Sequence, residues 1–216
     1  MYFERYQHQQ EVLDNIQSYV DSGKSVGRVI VPTGGGKTRI EADVIKKYGI
    51  EKENNVSASL VLFHRIALGQ QHIGLGSTPE NPKGFRQWLG FDGWRAAAFH
   101  SGEHSSPVGI SLKDEPQTTN VSVIKRHIKR QKSLGNYSII VSTYQSYHKL
   151  LDIDFDVVIA DESQFLVQEK YFYLFKSLKS SLKFCFTATE KWTDSDNGFG
   201  LNNSSIFGDR ICTIKA

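Results

Sequence analysis

Short apolar runs alternate with longer stretches of mixed polarity along the chain, and this pattern predicts buried strands connected by helices. Continuous apolar runs bounded by turn residues are typical of strands that are buried on both faces of a parallel sheet. The predicted strands lie at 28–31, 59–63, 94–99, 137–141, 155–160, 183–186 and 206–214.

The helices are predicted from apolar residues that recur at helical spacing. Val12, Ile16 and Tyr19, with their neighbours, form one apolar stripe within the first 23 residues. Further helices are predicted at 38–48, 120–132 and 172–182. Gly49 is expected to close the second helix, since glycine favours the left-handed conformation found at helix ends. Because strands and helices alternate, the fold class is predicted to be α/β, a parallel sheet sandwiched between α-helices.

Residues 74–116 interrupt this regular alternation. The segment holds four of the five prolines of the chain, together with Trp88 and Trp94. We expect an irregular excursion from the core that contains one strand and then a loop. The two tryptophans are expected to dock into the core, and stacking on a nucleic-acid base is the alternative for each. The rest of the chain is expected to belong to the same domain, which would span residues 1–216.

Composition narrows the class of protein. The chain has 216 residues, 39% of them hydrophobic, which argues against wholesale disorder. Its 26 Lys and Arg against 23 Asp and Glu give a formal charge of +3, too small a surplus to indicate a partner by itself. The start of the chain is polar, and no apolar run is long enough for a membrane helix. Cys185 and Cys212 have no metal-ligand or redox spacing. These features predict a cytoplasmic protein with no membrane partner.

A glycine-rich segment follows the first predicted strand and precedes a predicted helix. In such a turn the backbone N–H groups can surround phosphates, and the helix N-terminus adds a positive dipole end. Lys37 would reach the β- and γ-phosphates, and the Thr38 hydroxyl would bind Mg²⁺. Val31 stands where the strict phosphate-loop pattern has its first glycine, and an ordinary glycine turn is the alternative. The predicted ATP phosphate-binding residues are Thr33, Gly34, Gly35, Gly36, Lys37 and Thr38.

Two acidic residues end the predicted strand at 155–160. This position places Asp161 and Glu162 at the carboxyl edge of a parallel sheet, where folds of this class bind ligands. Asp161 could hold Mg²⁺ with Thr38, and Glu162 could polarise an attacking water. An acidic pair after a strand is weak evidence alone, because acids also cap helices. Together with the phosphate loop, it predicts an ATP and Mg²⁺ site.

Four motifs resemble those of the superfamily 2 helicases and nucleic-acid translocases, and they span nearly the whole chain. Pro32–Thr38 is similar to the family's first motif, and Asp161–Gln164 is similar to its second motif in the DExQ or DExH form. Thr187–Thr189 resembles the third motif, and His8–Glu11 resembles the adenine-reading element. The spacing of these motifs is similar to that in type III restriction subunits and excision-repair helicases. The resemblance implies a RecA-like P-loop domain.

The resemblance also implies roles for single residues. Lys37, Asp161, Glu162 and Gln164 would be the catalytic set, with Gln164 where related branches carry histidine. Thr187 and Thr189 would couple the state of the nucleotide to the grip on nucleic acid. Gln9 would contact adenine, and Gln7 is the rival for that role.

Two segments are similar to nucleic-acid-binding elements of the family. Arg65 follows the strand at 59–63, and Thr143 follows the strand at 137–141. Guanidinium and hydroxyl groups are common phosphate contacts, but a strand end before a capped helix would account for both residues equally. Five cations lie between Lys125 and Lys132 on the predicted helix, either as a phosphate-tracking face or as a solvated surface. DNA is expected more than RNA.

The arginine-rich motifs of the family's second lobe have no counterpart in this sequence. We therefore expect the chain to be the first RecA-like lobe, which has a second lobe as its partner in the full-length protein. Alone, it is expected to bind nucleotide weakly and hydrolyse it very slowly, since arginines from elsewhere stabilise the transferring phosphate. Two rival hypotheses are a P-loop kinase of small molecules, or another NTPase, and a catalytically idle nucleic-acid-binding module.

Overall fold

A single sheet of parallel strands organises the computed structural model, which describes residues 5–52, 57–74, 76–100, 115–189 and 200–214. The eight strands of this described part are β1 Val26–Ile30, β2 Ala58–Phe63, β3 Trp94–Phe99, β4 Gln117–Thr118, β5 Tyr137–Thr143, β6 Phe155–Ala160, β7 Ser180–Thr187 and β8 Asp209–Thr213. Their order in the sheet is β4-β3-β5-β2-β6-β7-β1-β8, and every neighbouring pair is parallel. The predicted α/β class is confirmed.

Helices cover both faces of the sheet. They are α1 Gln7–Asp21, α2 Lys37–Ile45, α3 Ile66–His72, α4 Phe85–Leu89, α5 Val121–Ser133, α6 Glu169–Ser177 and α7 Ser204–Phe207. A π-helical turn at Lys46–Ile50 continues α2, and 3₁₀ turns lie at Tyr147–Leu150 and Ser163–Leu166. None of the helices in the described ranges is long and apolar enough to cross a membrane.

Two apolar layers explain why the strands are continuous hydrophobic runs. Val61 and Phe63 of β2 pack into the layer that contains Ile16 of α1. Leu60 and its neighbours on the other face of β2 pack into the layer that contains Phe175 of α6. Because successive side chains of a strand point to opposite faces, a central strand must be apolar at every position to fill both layers.

The end of the second predicted helix differs from the sequence prediction. Gly49 does not close a helix there; it lies buried inside the π-helical turn. A Cβ at Gly49 would lie 2.5 Å from the Tyr137 hydroxyl oxygen. The glycine therefore allows a tyrosine of β5 to approach the backbone, which periodicity along one segment cannot show.

Two other boundaries were also predicted wrongly. The helix predicted at 172–182 starts earlier, at Glu169, and ends at Ser177, and the following residues from Ser180 begin β7. Pairing of Phe155 with Ser180 extends the strand beyond its apolar part. The final predicted strand begins only at Asp209, because Ile206 lies in the short helix α7.

The irregular segment at 74–116 contributes to the core where it is described. Trp94 begins β3, which lies between β4 and β5 in the sheet, and its side chain is fully buried. Phe85 of α4 is fully buried as well. The expected loop after the strand falls mainly on 101–114, which lie outside the described residues.

Candidate functional site

The parallel topology brings the ends of distant segments to one edge of the sheet. Strands β1, β6 and β7 are neighbours, so the segments that follow them start side by side. Lys37 follows β1, Asp161 follows β6, and Thr187 ends β7. Strands β2 and β5 continue the same edge and carry Arg65 and Thr143 at their ends. All five residues were predicted to be functional, and the sheet places them along one line.

The phosphate-loop candidate forms a tight turn between β1 and α2. Gly36 adopts the left-handed conformation, with φ of 79°, and directly precedes the helix. Lys37 extends its ammonium group to 3.4 Å from a carboxylate oxygen of Glu162 and 3.5 Å from the carbonyl oxygen of Val31. Thr33 and Gly34 are exposed, and Gly35 donates its N–H to the Pro32 carbonyl. The segment therefore presents a helix N-terminus and a lysine at the same point.

The two predicted carboxylates have different environments. Asp161 is buried, and burial together with the negative charge of Glu162 raises its pKa to about 6. Its Oδ1 accepts a hydrogen bond from the backbone N–H of Glu162. Glu162 is half-buried and has a positive φ of 52°, a conformation that non-glycine residues seldom adopt outside constrained sites. This sharp turn directs the two adjacent carboxylates to different places.

The residues Asp161 and Glu162 form a turn after β6, here called the acidic turn. Gln164 connects this turn to Thr187, the last residue of β7, and to the residues that follow it. Its side-chain amide donates a 2.8 Å hydrogen bond to Glu162 Oε2. Its side-chain carbonyl accepts a 2.7 Å hydrogen bond from the Thr187 hydroxyl. The backbone N–H of Thr189 donates to the Thr187 hydroxyl oxygen at 3.2 Å. The predicted catalytic and coupling residues therefore form one continuous chain of hydrogen bonds.

Thr38 and Asp161, the pair predicted to hold Mg²⁺, face the same histidine. The Thr38 hydroxyl lies 3.1 Å from His72 Nε2, and Asp161 Oδ2 lies 3.6 Å from that nitrogen. Glu41 Oε2 lies 3.5 Å from it. A hydroxyl and a carboxylate suit Mg²⁺, which prefers oxygen ligands, so these residues fit the expected ion.

Gln9, and not Gln7, reaches the phosphate loop. A Cβ placed on Gly36 would lie only 2.1 Å from Gln9 Nε2, so the amide lies directly against that glycine. The side-chain oxygen of Gln9, Oε1, accepts a hydrogen bond from the backbone N–H of Tyr6. Gln7 is exposed and bonds to Glu11 on the helix surface.

A cavity of about 710 Å³ opens beside this glutamine and provides room for a nucleotide base and sugar. Its walls include Tyr6, Gln9, Thr38 and Trp88. The Arg39 guanidinium lies 4.5 Å from the centre of the Trp88 ring. Trp88 is half-buried at this cavity, whereas Trp94 is wholly in the core, so the structure separates two tryptophans that the sequence treated alike.

The two nucleic-acid candidates line one shallow pocket together. Arg65 is exposed at the start of α3, and Thr143 is mostly buried, with its hydroxyl donating to Ser146. Next to Thr143, the hydroxyl of buried Tyr144 donates a 2.6 Å hydrogen bond to the backbone carbonyl of Asp161. Tyr144, the neighbour of Thr143 in the chain, therefore connects the edge of this pocket directly to the acidic turn.

A second contact joins the same regions. The rings of His64 and Phe165 stack with centroids 4.4 Å apart and planes 9° apart. His64 precedes Arg65, and Phe165 follows Gln164, so this stack also links the Arg65 segment to the acidic turn. On α5, the cations between Lys125 and Lys132 are exposed, which agrees with both interpretations given above.

Sequence reasoning missed His72, Glu41, Tyr144 and the position of Trp88. A signal existed for Glu41, since it lies three residues after Thr38 and so on the same face of α2. No spacing indicates His72 or Tyr144, because each lies on a different element and meets the site only through the sheet. Their contacts are consequences of tertiary structure alone.

Comparison with known proteins agrees with this architecture. The sequence model of a family described as "Type III restriction enzyme, res subunit" matches residues 2–191. No curated protein sequence matches the chain. Among solved structures, a nuclease-deletion mutant of the Type ISP restriction-modification enzyme LlaGI, in complex with a DNA substrate mimic, matches 99% of this chain. The TM-score is 0.72 and the sequence identity is 18%.

Two further structures are similar. The ATP-dependent Type ISP restriction-modification enzyme LlaBIII bound to DNA matches 99% of the chain with a TM-score of 0.67 and 19% identity. The Sulfolobus solfataricus SWI2/SNF2 ATPase core in complex with dsDNA matches 95% with a TM-score of 0.55 and 19% identity. The chain spans 20%, 15% and 36% of these three proteins in turn, and at such identities the likeness shows the fold.

Proposed function

This chain belongs to the family of type III restriction enzyme res subunits, and we propose that it is an ATP-driven nucleic-acid motor domain whose edge site binds ATP with Mg²⁺ and drives movement on DNA. The observation that carries the proposal is the Glu162–Gln164–Thr187 chain of hydrogen bonds. It joins the predicted hydrolytic residue to the predicted coupling residues. A site that only bound phosphate would not need this connection.

The phosphate loop would hold the nucleotide. Lys37 would leave its contact with Glu162 and bind the β- and γ-phosphates, while the backbone of Thr33 to Gly36 surrounds them. Gln9 would contact adenine, because its amide lies against Gly36 at the mouth of the cavity. Thr38 and Asp161 would hold Mg²⁺, and the bound ion would neutralise charge on the phosphates.

Glu162 would act on water. Once Lys37 has turned to the phosphates, the half-buried Glu162 carboxylate is free to orient an attacking water and accept its proton. Gln164 holds Glu162 Oε2, so it would fix the direction of that carboxylate. The Gln164 side chain also accepts a hydrogen bond from Thr187. A displacement of Glu162 would therefore shift the residues at the end of β7. Thr189 would respond through its bond to Thr187.

The DNA contacts would lie at the same edge. Arg65 and Thr143 would bind phosphates of the backbone, and the Tyr144 contact with Asp161 supports communication between the two ligands. The similar structures contain DNA or a DNA mimic, which supports DNA over RNA. A second RecA-like lobe, as partner, would supply the arginines that stabilise transferring charge. The chain alone would therefore turn over ATP very slowly.

The test is to measure binding of a fluorescent ATP analogue and ATP hydrolysis, each with and without DNA. We expect Lys37→Ala to weaken analogue binding at least tenfold. Lys46→Ala, which removes an equivalent charge at the far end of the same helical segment, should have no effect. We expect slow hydrolysis by the wild-type chain and none by Glu162→Gln, which should still bind the analogue.

Three results would contradict the proposal in whole or in part. Equal analogue affinity in Lys37→Ala and wild type would support an idle module instead. Phosphoryl transfer to a small metabolite without any influence of DNA would support a kinase. Brisk DNA-stimulated hydrolysis by the chain alone would remove the need for a second lobe.

A further inference from the structure

Three side chains beside the phosphate loop come together as potential metal ligands. Glu41 of α2, His72 of α3 and Asp161 after β6 each offer one ligand atom, and these atoms lie within 4.8 Å of one another. His72 Nε2 lies 3.5 Å from Glu41 Oε2 and 3.6 Å from Asp161 Oδ2. The donors come from three separate elements, so their convergence is a property of the fold and not of a local sequence pattern.

The two distances from the imidazole match those of a coordination shell. In a tetrahedral site with metal–ligand bonds of about 2.1 Å, neighbouring ligand atoms lie about 3.4 Å apart. The two distances from His72 Nε2 are close to this value. The Thr38 hydroxyl, 3.1 Å from the same nitrogen, is near enough to act as a further donor.

The imidazole is oriented for metal binding. His72 Nδ1 lies 2.9 Å from the carbonyl oxygen of Leu68, to which it donates its proton. This bond leaves a lone pair on Nε2, the atom that lies near the Thr38 hydroxyl and the two carboxylates. A carbonyl that receives the other ring N–H is the usual partner that fixes the tautomer of a metal-ligating histidine. The rings of Phe63 and Phe85 pack against His72 and limit its rotation.

Glu41 provides an independent observation. Its side chain is fully buried, and neither carboxylate oxygen accepts a hydrogen bond from any residue in the described part of the chain. In its charged form a buried carboxylate without hydrogen bonds is costly unless a cation lies beside it, and a metal ion bound here would be such a cation.

We propose that Glu41, His72 and Asp161, with Thr38, form a site for a divalent transition-metal ion of the Mn²⁺ and Zn²⁺ class. The donor set is one imidazole nitrogen and two carboxylates, with a hydroxyl. Imidazole is a good ligand for transition metals and a poor one for Mg²⁺, which keeps to oxygen. The site shares Thr38 and Asp161 with the nucleotide site proposed above, but it needs no nucleotide to form. Because His72 supplies a nitrogen ligand, this site would prefer different metal ions from a site that has only oxygen ligands.

The test uses the full chain, freed of metal with a chelator and measured without nucleotide. Isothermal titration with Mn²⁺, Zn²⁺ and Mg²⁺ should show one site that binds the first two at least tenfold more tightly than Mg²⁺. Pulsed electron paramagnetic resonance of the Mn²⁺ complex should show nitrogen modulation from a directly bound imidazole. This second measurement needs no variant and so does not depend on whether a variant folds.

The variants assign the ligands. His72→Ala should weaken Mn²⁺ and Zn²⁺ at least tenfold, change Mg²⁺ affinity less than threefold and abolish the nitrogen modulation. Glu41→Gln keeps the shape of the side chain and should also weaken Mn²⁺. His148→Ala is the matched control, because His148 is exposed, its Nδ1 lies at the Gln145 carbonyl, and it is not part of the cluster. Circular dichroism and thermal unfolding would establish that each variant folds.

Several outcomes would overturn the proposal. These are wild-type affinity for Mn²⁺ and Zn²⁺ no greater than for Mg²⁺, no nitrogen modulation, or modulation that persists in His72→Ala. The outcome is separable from that of the proposed function. If the chain binds Mn²⁺ through nitrogen but binds no ATP analogue, the metal site is supported and the proposed motor function is contradicted. If it binds the analogue but shows no nitrogen-bound Mn²⁺, the motor function is supported and the metal site is contradicted.

Discussion

The Thr187 hydroxyl donates a 2.7 Å hydrogen bond to the side-chain carbonyl of Gln164. This bond joins the end of β7 to the acidic turn after β6, because the nitrogen of the same side-chain amide donates a hydrogen bond to Glu162. Two neighbouring strands of the sheet are thereby connected through side chains as well as through their backbones.

Replacing Gln164 by alanine should uncouple the two ligands. The variant loses both bonds of the amide, so we expect unchanged affinity for an ATP analogue but a DNA affinity that no longer responds to the analogue. The measurement is DNA binding by fluorescence anisotropy with and without analogue. Thr187→Val, which removes only the hydroxyl donor, should give the same result. Gln168→Ala removes an exposed amide and should behave as wild type.

Two buried tyrosines provide a matched test of the path from DNA to the acidic turn. Tyr144 donates to the Asp161 carbonyl at 2.6 Å, and Tyr147 donates to the Tyr171 carbonyl at 2.7 Å. Either change to phenylalanine should lower the free energy of unfolding in urea by about 1–3 kcal/mol, since a buried acceptor loses its donor. Only Tyr144→Phe should also alter the effect of the analogue on DNA affinity. Equal coupling in both variants would argue against this path.

Glycine at position 36 is predicted to be required for a second reason besides its backbone conformation. Gly36→Ala and Gly23→Ala both force alanine into the left-handed region, at a cost of about 1–2 kcal/mol. Gly23 has nothing within 4 Å of an added Cβ, whereas at Gly36 the Cβ would meet Gln9. Gly36→Ala should therefore destabilise more in urea unfolding and also weaken analogue binding. Similar losses in the two variants would contradict this explanation.

Arg65 should contribute one phosphate contact. Each contact adds about 0.9 to the slope of log affinity for duplex DNA against log salt concentration. Arg65→Ala should lower both DNA affinity and this slope, the slope by about one contact. Lys46→Ala removes a partly exposed charge that is paired with Glu51, and should leave the slope unchanged. A salt slope in Arg65→Ala equal to that of the wild type would assign Arg65 to the structure of α3 alone.

Asp156 should make stability depend on pH. Burial raises its pKa, despite hydrogen bonds from Tyr137, Ser57 and Ala58 that lower it. The folded chain therefore binds this proton more tightly than the unfolded chain does. The stabilisation from this proton is complete below the pKa of the unfolded chain, about 3.9. It is lost as pH rises through the higher pKa that Asp156 has in the folded chain.

Urea unfolding of the wild type and Asp156→Asn measures this stabilisation, at pH values from below the unfolded pKa to above the folded pKa of Asp156. The wild-type free energy of unfolding, less that of the variant, should fall as pH rises, because asparagine cannot titrate. Asp154→Asn, at an exposed position two residues away, is the control for the loss of a carboxylate at the surface. A difference for Asp156→Asn that rises with pH would show that the hydrogen bonds outweigh burial.

The sequence by itself determined the fold class and the two main chemical motifs. Apolar runs indicated the strands because central strands are buried on both faces, and this constraint applies to every residue of the run. Asp161 was recognisable because it directly follows a strand, at the edge where parallel sheets bind ligands. Lys37 was recognisable because it ends the glycine-rich turn between a strand and a helix. Helix ends were less certain, since pairing at Ser180 and the approach of Tyr137 to Gly49 depend on other segments.

The tertiary structure alone decided which residues surround these motifs. His72 meets Asp161, and Tyr144 meets its carbonyl, although more than seventy positions separate His72 from Asp161 in the chain. Local sequence sets backbone conformation and burial through nearest neighbours, but convergence of α2, α3 and β6 at one point depends on the order of strands in the sheet. For this reason His72 has no signature in the sequence, while the phosphate loop has one.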